Sequence, residues 1–101
     1  MFTKAQIKIL ELLDNDRRWW YGLELVKASD GKISRGSVYV HLVSLKEKSF
    51  VDSREQNDEE FNLTPDYPDK LRRTLYRITE GGIHKRTQSE VKSFGLTPQL
   101  A

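Results

Sequence analysis

The segment SRGSVYVHLVSLKEKSF, Ser34 to Phe50, places Val38, Leu42 and Leu45 at helical spacing. At about 100° per residue these three fall within roughly 40° of one line, so a helix here has a single apolar seam. The far side carries Gly36, Ser37, Val40 and Ser44, with Glu47 one turn later and Arg35, Tyr39 and His41 on the flanks. A surface helix ordinarily shows long charged side chains on that side. This one keeps its first two turns slim and almost free of acid, a shape that the major groove of duplex DNA admits. The same pattern also suits a packed amphipathic helix with an ordinary outer face.

Upstream, Tyr21 to Ala28 reads as a second helix, with Tyr21, Leu25 and Ala28 toward the core and Leu23 and Val26 to one side. Ser29, Asp30, Gly31 and Lys32 form the turn, Ile33 enters the next helix and Ser34 suits its N-cap. Two helices joined by a short glycine-containing turn make a helix-turn-helix. A first helix spans Thr3 to Leu13, where Thr3 and Gln6 carry a capping-box signal and Ile7, Leu10 and Leu13 form a stripe widened by Ile9 and Leu12. Asp14, Asn15 and Asp16 end it. Arg17, Arg18, Trp19, Trp20 and Tyr21 then form a basic and aromatic cluster. Neighbouring tryptophans diverge on a helix, so one is expected in the core and the other at a surface or subunit contact.

Downstream, Phe50 and Val51 leave the helix and Asp52 to Glu55 begin a strand. Gln56 to Lys70 is a polar loop holding Pro65 and Pro68, and Leu71 to Thr79, LRRTLYRIT, is a short hairpin strand. Thr79 can cap a last helix from Glu80 to Phe94, whose sparse apolar positions are Ile83, Val91 and Phe94. Gly81 and Gly82 weaken its first turn, and Gly95 with Pro98 ends it. The fold expected is mainly α with a small β-hairpin wing, a winged helix-turn-helix over residues 1–79. Residues 80–101 form a C-terminal helix and tail.

With 101 residues the chain builds one domain. Its net charge of +2 hides an asymmetry: residues 55–69 hold six acids and no Lys or Arg, leaving +8 for the rest. A basic body points to a polyanionic partner. Arg35, Lys46, Lys48, Arg54, Arg72, Arg73 and Arg77 are the cations available to phosphates. The chain has no cysteine and only His41 and His84, so neither a thiolate metal site nor any other metal or cofactor is expected. No apolar run is long enough for a membrane span, the N-terminus lacks a signal-peptide core, and the expected location is cytoplasmic. No glycine-rich phosphate loop follows a strand and no nucleophile has a positioned base, which argues against an enzyme.

Three separated segments, YGLELVKA, ISRGSVYVHLVSLKEKSFVDSRE and RRTLYRITEGG, resemble the PadR family of winged-helix transcriptional regulators. The resemblance spans roughly Ala5 to Ile83 and rests on Ser37, Tyr39 and Leu42 in the recognition helix and on Arg72, Arg73, Tyr76, Thr79 and Gly82 at the wing. It implies a repressor-like regulator that binds double-stranded DNA as a homodimer, with Ser34, Arg35, Ser37 and Tyr39 at the DNA and Arg72 and Arg73 in the wing. Gly36, Val40, His41, Ser44 and Arg54 complete the expected DNA face. Two positions depart from the family pattern: Val40 stands where proline is usual, and Ser49 where glycine is favoured. The acidic loop would be repelled by phosphate, which gives the rival reading of a protein-interaction adaptor. In the family, C-terminal helices make the dimer. Here Ile83, Val91 and Phe94 are expected to do so, with Phe2, Ile9 and Leu12 of the first helix added. Neither a small-molecule effector nor an operator sequence can be named from the residues.

Overall fold

The structure, a computed structural model, describes residues 2–63 and 71–93. The elements in chain order are α1 (Lys4–Asn15), β1 (Trp20–Tyr21), α2 (Gly22–Ala28), α3 (Val38–Glu47), β2 (Val51–Glu55), α4 (Asp58–Leu63), β3 (Thr74–Ile78) and α5 (Glu80–Ser93). The capping box of α1 forms as expected. The Thr3 hydroxyl accepts from the Gln6 N–H at 3.1 Å, and the Gln6 side chain accepts from the Thr3 N–H at 3.2 Å.

The stripe of α1 is turned from its expected position. Ile9, Leu10 and Leu13 are buried while Ile7 is only half-buried. Ile9 at 0% exposure belongs to the chain's own core. That corrects its assignment to a dimer surface, because a side chain enclosed on every side has no area left for a partner. Phe2, Leu12 and Ile83 pack against the same core from its edge. The Val91 side chain and Phe94 lie outside what is described.

Between α2 and α3, Ser29 is fully buried and holds the turn. Its hydroxyl donates to the Val26 carbonyl at 2.8 Å and accepts from the Ile33 N–H at 3.0 Å. Asp30 and Gly31 take positive φ of 54° and 86° to reverse the chain. Ala28 is exposed, not inward, since Leu25 and the turn fill that side of the core. The third helix also begins later than expected. Ser34 does not cap it: the Ser37 and Val38 N–H groups both close onto the Ser34 carbonyl, so residues 34–37 form a preceding turn and Ser37 is the N-cap. Val38, Leu42 and Leu45 make the apolar seam as expected, each at 0% exposure.

Ser49 ends α3 in the left-handed region at φ 64°. The Phe50 N–H reaches the Leu45 carbonyl at 3.0 Å and the Ser49 N–H reaches Lys46 at 2.9 Å, the two bonds of a Schellman motif. The sheet has three antiparallel strands in the order β1-β3-β2, where a two-stranded hairpin was expected. Trp20 pairs with Tyr76 and Tyr21 with Leu75, so the tryptophan cluster itself supplies the third strand. β3 begins at Thr74, leaving Leu71 to Arg73 outside the ladder. Trp20 joins the core and Trp19 stays half-buried, the division expected of the pair.

Within the expected loop, Asp58–Leu63 forms α4. The Asn57 side chain accepts from the Glu60 N–H at 2.8 Å and Glu60 accepts from the Asn57 N–H at 3.0 Å, so Asn57 caps this short helix reciprocally. At the start of α5, a Cβ on Gly82 would stand 2.2 Å from the Phe50 carbonyl oxygen and 2.8 Å from Ile78. The glycine is there because nothing larger fits between α5 and the strand. Arg86 of α5 pairs with Asp14 at the end of α1 at 2.8 Å, so the first and last helices pack within one chain. No helix among the described residues is long and apolar enough to cross a membrane.

Candidate nucleic-acid interface

The exposed side of α3 carries Tyr39, Val40, Val43, Lys46 and Glu47, with Ser44 and His41 half-buried at its edge. Sequence spacing set this face opposite Val38, on Val40, Ser44 and Glu47; it is rotated toward Val43, which was not among the expected contacts. Tyr39 is held from below by α2. A Cβ on Gly22 would come within 2.6 Å of the Tyr39 ring, so glycine at the first position of α2 lets the ring approach the backbone closely. Burial raises the Tyr76 phenol above its ordinary pKa and the neighbouring Tyr39 adds to the rise, while the Thr74 hydrogen bond opposes it.

Two grooves join α3 to the sheet. One, of about 240 Å³, is lined by Gly22, Tyr39, Arg73, Thr74 and Tyr76 among others. The second, of about 390 Å³, brings Val43 and Lys46 of α3 beside Ser53 and Arg54 of β2. Tyr39, Arg54 and Arg73 are thus placed along one surface with α3. Arg35 and Gly36 stand exposed on the turn preceding the helix, and the Ser34 and Ser37 hydroxyls there hydrogen-bond each other at 2.6 Å.

The wing arginines are engaged by the chain itself. Arg54 forks onto Glu60 at 2.7 and 3.0 Å and stacks over Trp19, with Arg77 over the same ring. Arg72 pairs with Asp58, donates to the Gln56 carbonyl and lies over Phe61. The Arg54 fork, with the Asn57 N–H behind it, holds the Glu60 carboxyl down at about 2. Arg72 therefore faces α4, away from the surface that Tyr39 and Arg73 share. Under all of this sits Gln56, buried although it opens the segment expected as a polar loop. Its amide donates to the Tyr21 hydroxyl at 2.9 Å and accepts from the Arg73 N–H at 2.9 Å, while its own N–H reaches the Arg73 carbonyl at 2.8 Å. No sequence pattern marks it, because its partners lie far away along the chain.

An exposed helix seated after a tight turn, with a three-stranded antiparallel sheet at its flank, decides the architecture. The fold is a winged helix. No family model matches the sequence, and no curated protein matches it. Among solved structures, the winged helix is similar to a PadR family transcription regulator from hypervirulent Clostridium difficile, at 19% identity over 92% of each chain with a TM-score of 0.66. It is also similar to a transcriptional regulator from Clostridium thermocellum, at 24% identity over 88% of this chain and 81% of that one, TM-score 0.66. A PadR family transcriptional regulator from Eggerthella lenta matches at 21% identity over 85% of this chain and 70% of the other, TM-score 0.63. All three of these proteins are named as transcriptional regulators, two of them of the PadR family.

Proposed function

We propose that the chain is a sequence-specific double-stranded DNA-binding regulator of PadR type, working in the cytoplasm as a homodimer and acting as a repressor. The observation that carries the reading is the exposed outer side of α3, edged by Arg35 and Lys46 and continued by Tyr39 and Arg73 onto the sheet. The basic charge outside residues 55–69 supports it. In a dimer, two recognition helices about 34 Å apart would read half-sites one helical turn from each other. The domain division follows: residues 1–79 meet DNA, and residues 80–101 hold the dimer.

Affinity for duplex DNA measured against salt tests this. Each phosphate neutralised contributes about one unit to the slope of log affinity on log salt. A steep negative slope is expected, together with enrichment of an inverted repeat when duplexes are selected from a random pool. A flat slope, or no duplex binding at low salt, sinks the proposal.

The adaptor reading is favoured by one observation: Asp58 and Glu60 of α4 already occupy Arg72 and Arg54. Asp58→Asn with Glu60→Gln separates the two. A DNA-binding protein gains affinity, because the Arg54 guanidinium beside α3 becomes available to phosphate, and its salt slope steepens by about one unit. An adaptor that docks through α4 loses its partner and gains nothing on DNA.

A further inference from the structure

The centre of the α3 outer side is apolar. Val40 is 69% exposed and Val43 53% exposed, and neither belongs to the core. They stand three residues apart on one side of the helix, which places their Cβ atoms about 5–6 Å from each other. The ten residues of α3, VYVHLVSLKE, include no Arg, Asn or Gln, and the one side chain there of the kind that reads a guanine edge is Lys46 in the last turn, beyond both valines. In the major groove a base pair offers a single apolar feature, the C5-methyl group of thymine. Resting on the DNA-binding reading above, we infer that Val40 and Val43 read thymine methyl groups, so that each half-site carries T·A pairs beneath them.

The surroundings favour DNA over an apolar protein surface as the occupant. Arg35 and Lys46 flank the valines, and the body of the chain outside the acidic segment is net +8. A small apolar centre with a cationic rim matches methyl groups lying between two phosphate backbones. The separation of the valines covers one to two base steps at about 3.4 Å each. The methyl groups they meet therefore lie on base pairs one or two steps apart. Val40 stands one turn before Ser44, so a polar neighbour is within reach of the same edges, but it carries no methyl selectivity.

The experiment uses the full chain and a half-site taken from selected duplexes. Each thymine is replaced in turn by uracil, which removes only the methyl group. Binding is expected to weaken about fourfold at the one or two positions under the valines, the effect of withdrawing one buried methyl group, and to stay unchanged elsewhere. Val40→Ala and Val43→Ala alter exposed positions and leave the core intact. Each should bind the thymine duplex more weakly, lose its discrimination against uracil at one position and keep the wild-type salt slope.

Equal affinity of the wild-type chain for thymine and uracil duplexes overturns the inference and leaves DNA binding standing. So does a selected half-site with no thymine. Absence of any duplex binding at low salt removes the DNA reading itself, and this inference with it. If the valines instead cover each other in a second copy of the chain, Val40→Asp abolishes the dimer in sedimentation while uracil makes no difference, which also overturns it.

Discussion

Ser49 shows how much a single backbone angle can weigh. It sits at the C′ position of α3 with φ 64°, a conformation that costs a residue bearing a Cβ about 1 kcal/mol or more relative to glycine. The two Schellman bonds and the Thr79 hydroxyl, which donates to the Ser49 carbonyl at 2.7 Å, hold it there. None of these uses the Ser49 side chain, so Ser49→Gly keeps them and relieves the strain. The variant should be more stable by about 1 kcal/mol, a rise in Tm of about 4–8 °C for a domain of this size. Two glycines make contrasting predictions in the same assay. Gly82→Ala forces a methyl against the Phe50 carbonyl at 2.2 Å and should lower Tm sharply, whereas a Cβ on Gly36 would meet nothing within 4 Å. Gly36→Ala should leave Tm unchanged or slightly raised. A loss of operator affinity in that variant would then report the approach of DNA to the turn.

Elements differ in how openly the sequence declares them. α1 is legible because its cap and its aliphatic spacing agree, and α3 because Val38, Leu42 and Leu45 leave one choice of inner face. Where local preference was ambiguous, packing decided. Ser34 has the chemistry of an N-cap, but Ile33 is buried and tied to Ser29, so the chain turns once more before the helix can start. β1 is two residues long and has no alternation to read; it exists because β3 offers Tyr76 and Leu75 as partners. α4 is one turn and a half, capped by Asn57, and its acids are recruited by arginines on β2 and before β3. The acid stability of that contact follows from Glu60. Its folded carboxyl titrates at about 2 instead of the ordinary 4.5, so the folded state holds this proton less tightly than the unfolded chain. Its contribution is complete above pH 4.5 and is lost as pH falls toward about 2. The Glu60 carboxyl followed by NMR should show a midpoint near the lower value, and Arg54→Ala should move it back up. A midpoint that ignores Arg54 would mean the fork is not formed in solution.

For the whole molecule, the question is how α5 is attached to the body that presents α3. Asp14 accepts from Arg17 and Arg86, both at 2.8 Å, and ties the end of α1 to α5 with little solvent between them. Asp14→Ala removes a largely buried carboxylate that two guanidiniums share, so it should destabilise by about 1–3 kcal/mol, read as a fall in denaturant midpoint. Phe94 belongs to the proposed dimer element, and Phe94→Glu should give monomers in sedimentation that bind a half-site weakly; a variant still dimeric moves the interface elsewhere, with the exposed edge of Trp19 next in line. The attachment at the other end of α5 has a mechanical consequence. The carbonyls of Ser49 and Phe50, which terminate α3, are the ones that receive the hydroxyl and the N–H of Thr79, and Thr79 in turn caps α5 through the Gly82 N–H at 3.0 Å. Two peptide units splice one helix to the other with no slack between them. The direction in which α5 leaves the body is therefore set by the last turn of α3, the same helix that offers Tyr39, Val40 and Val43 outward.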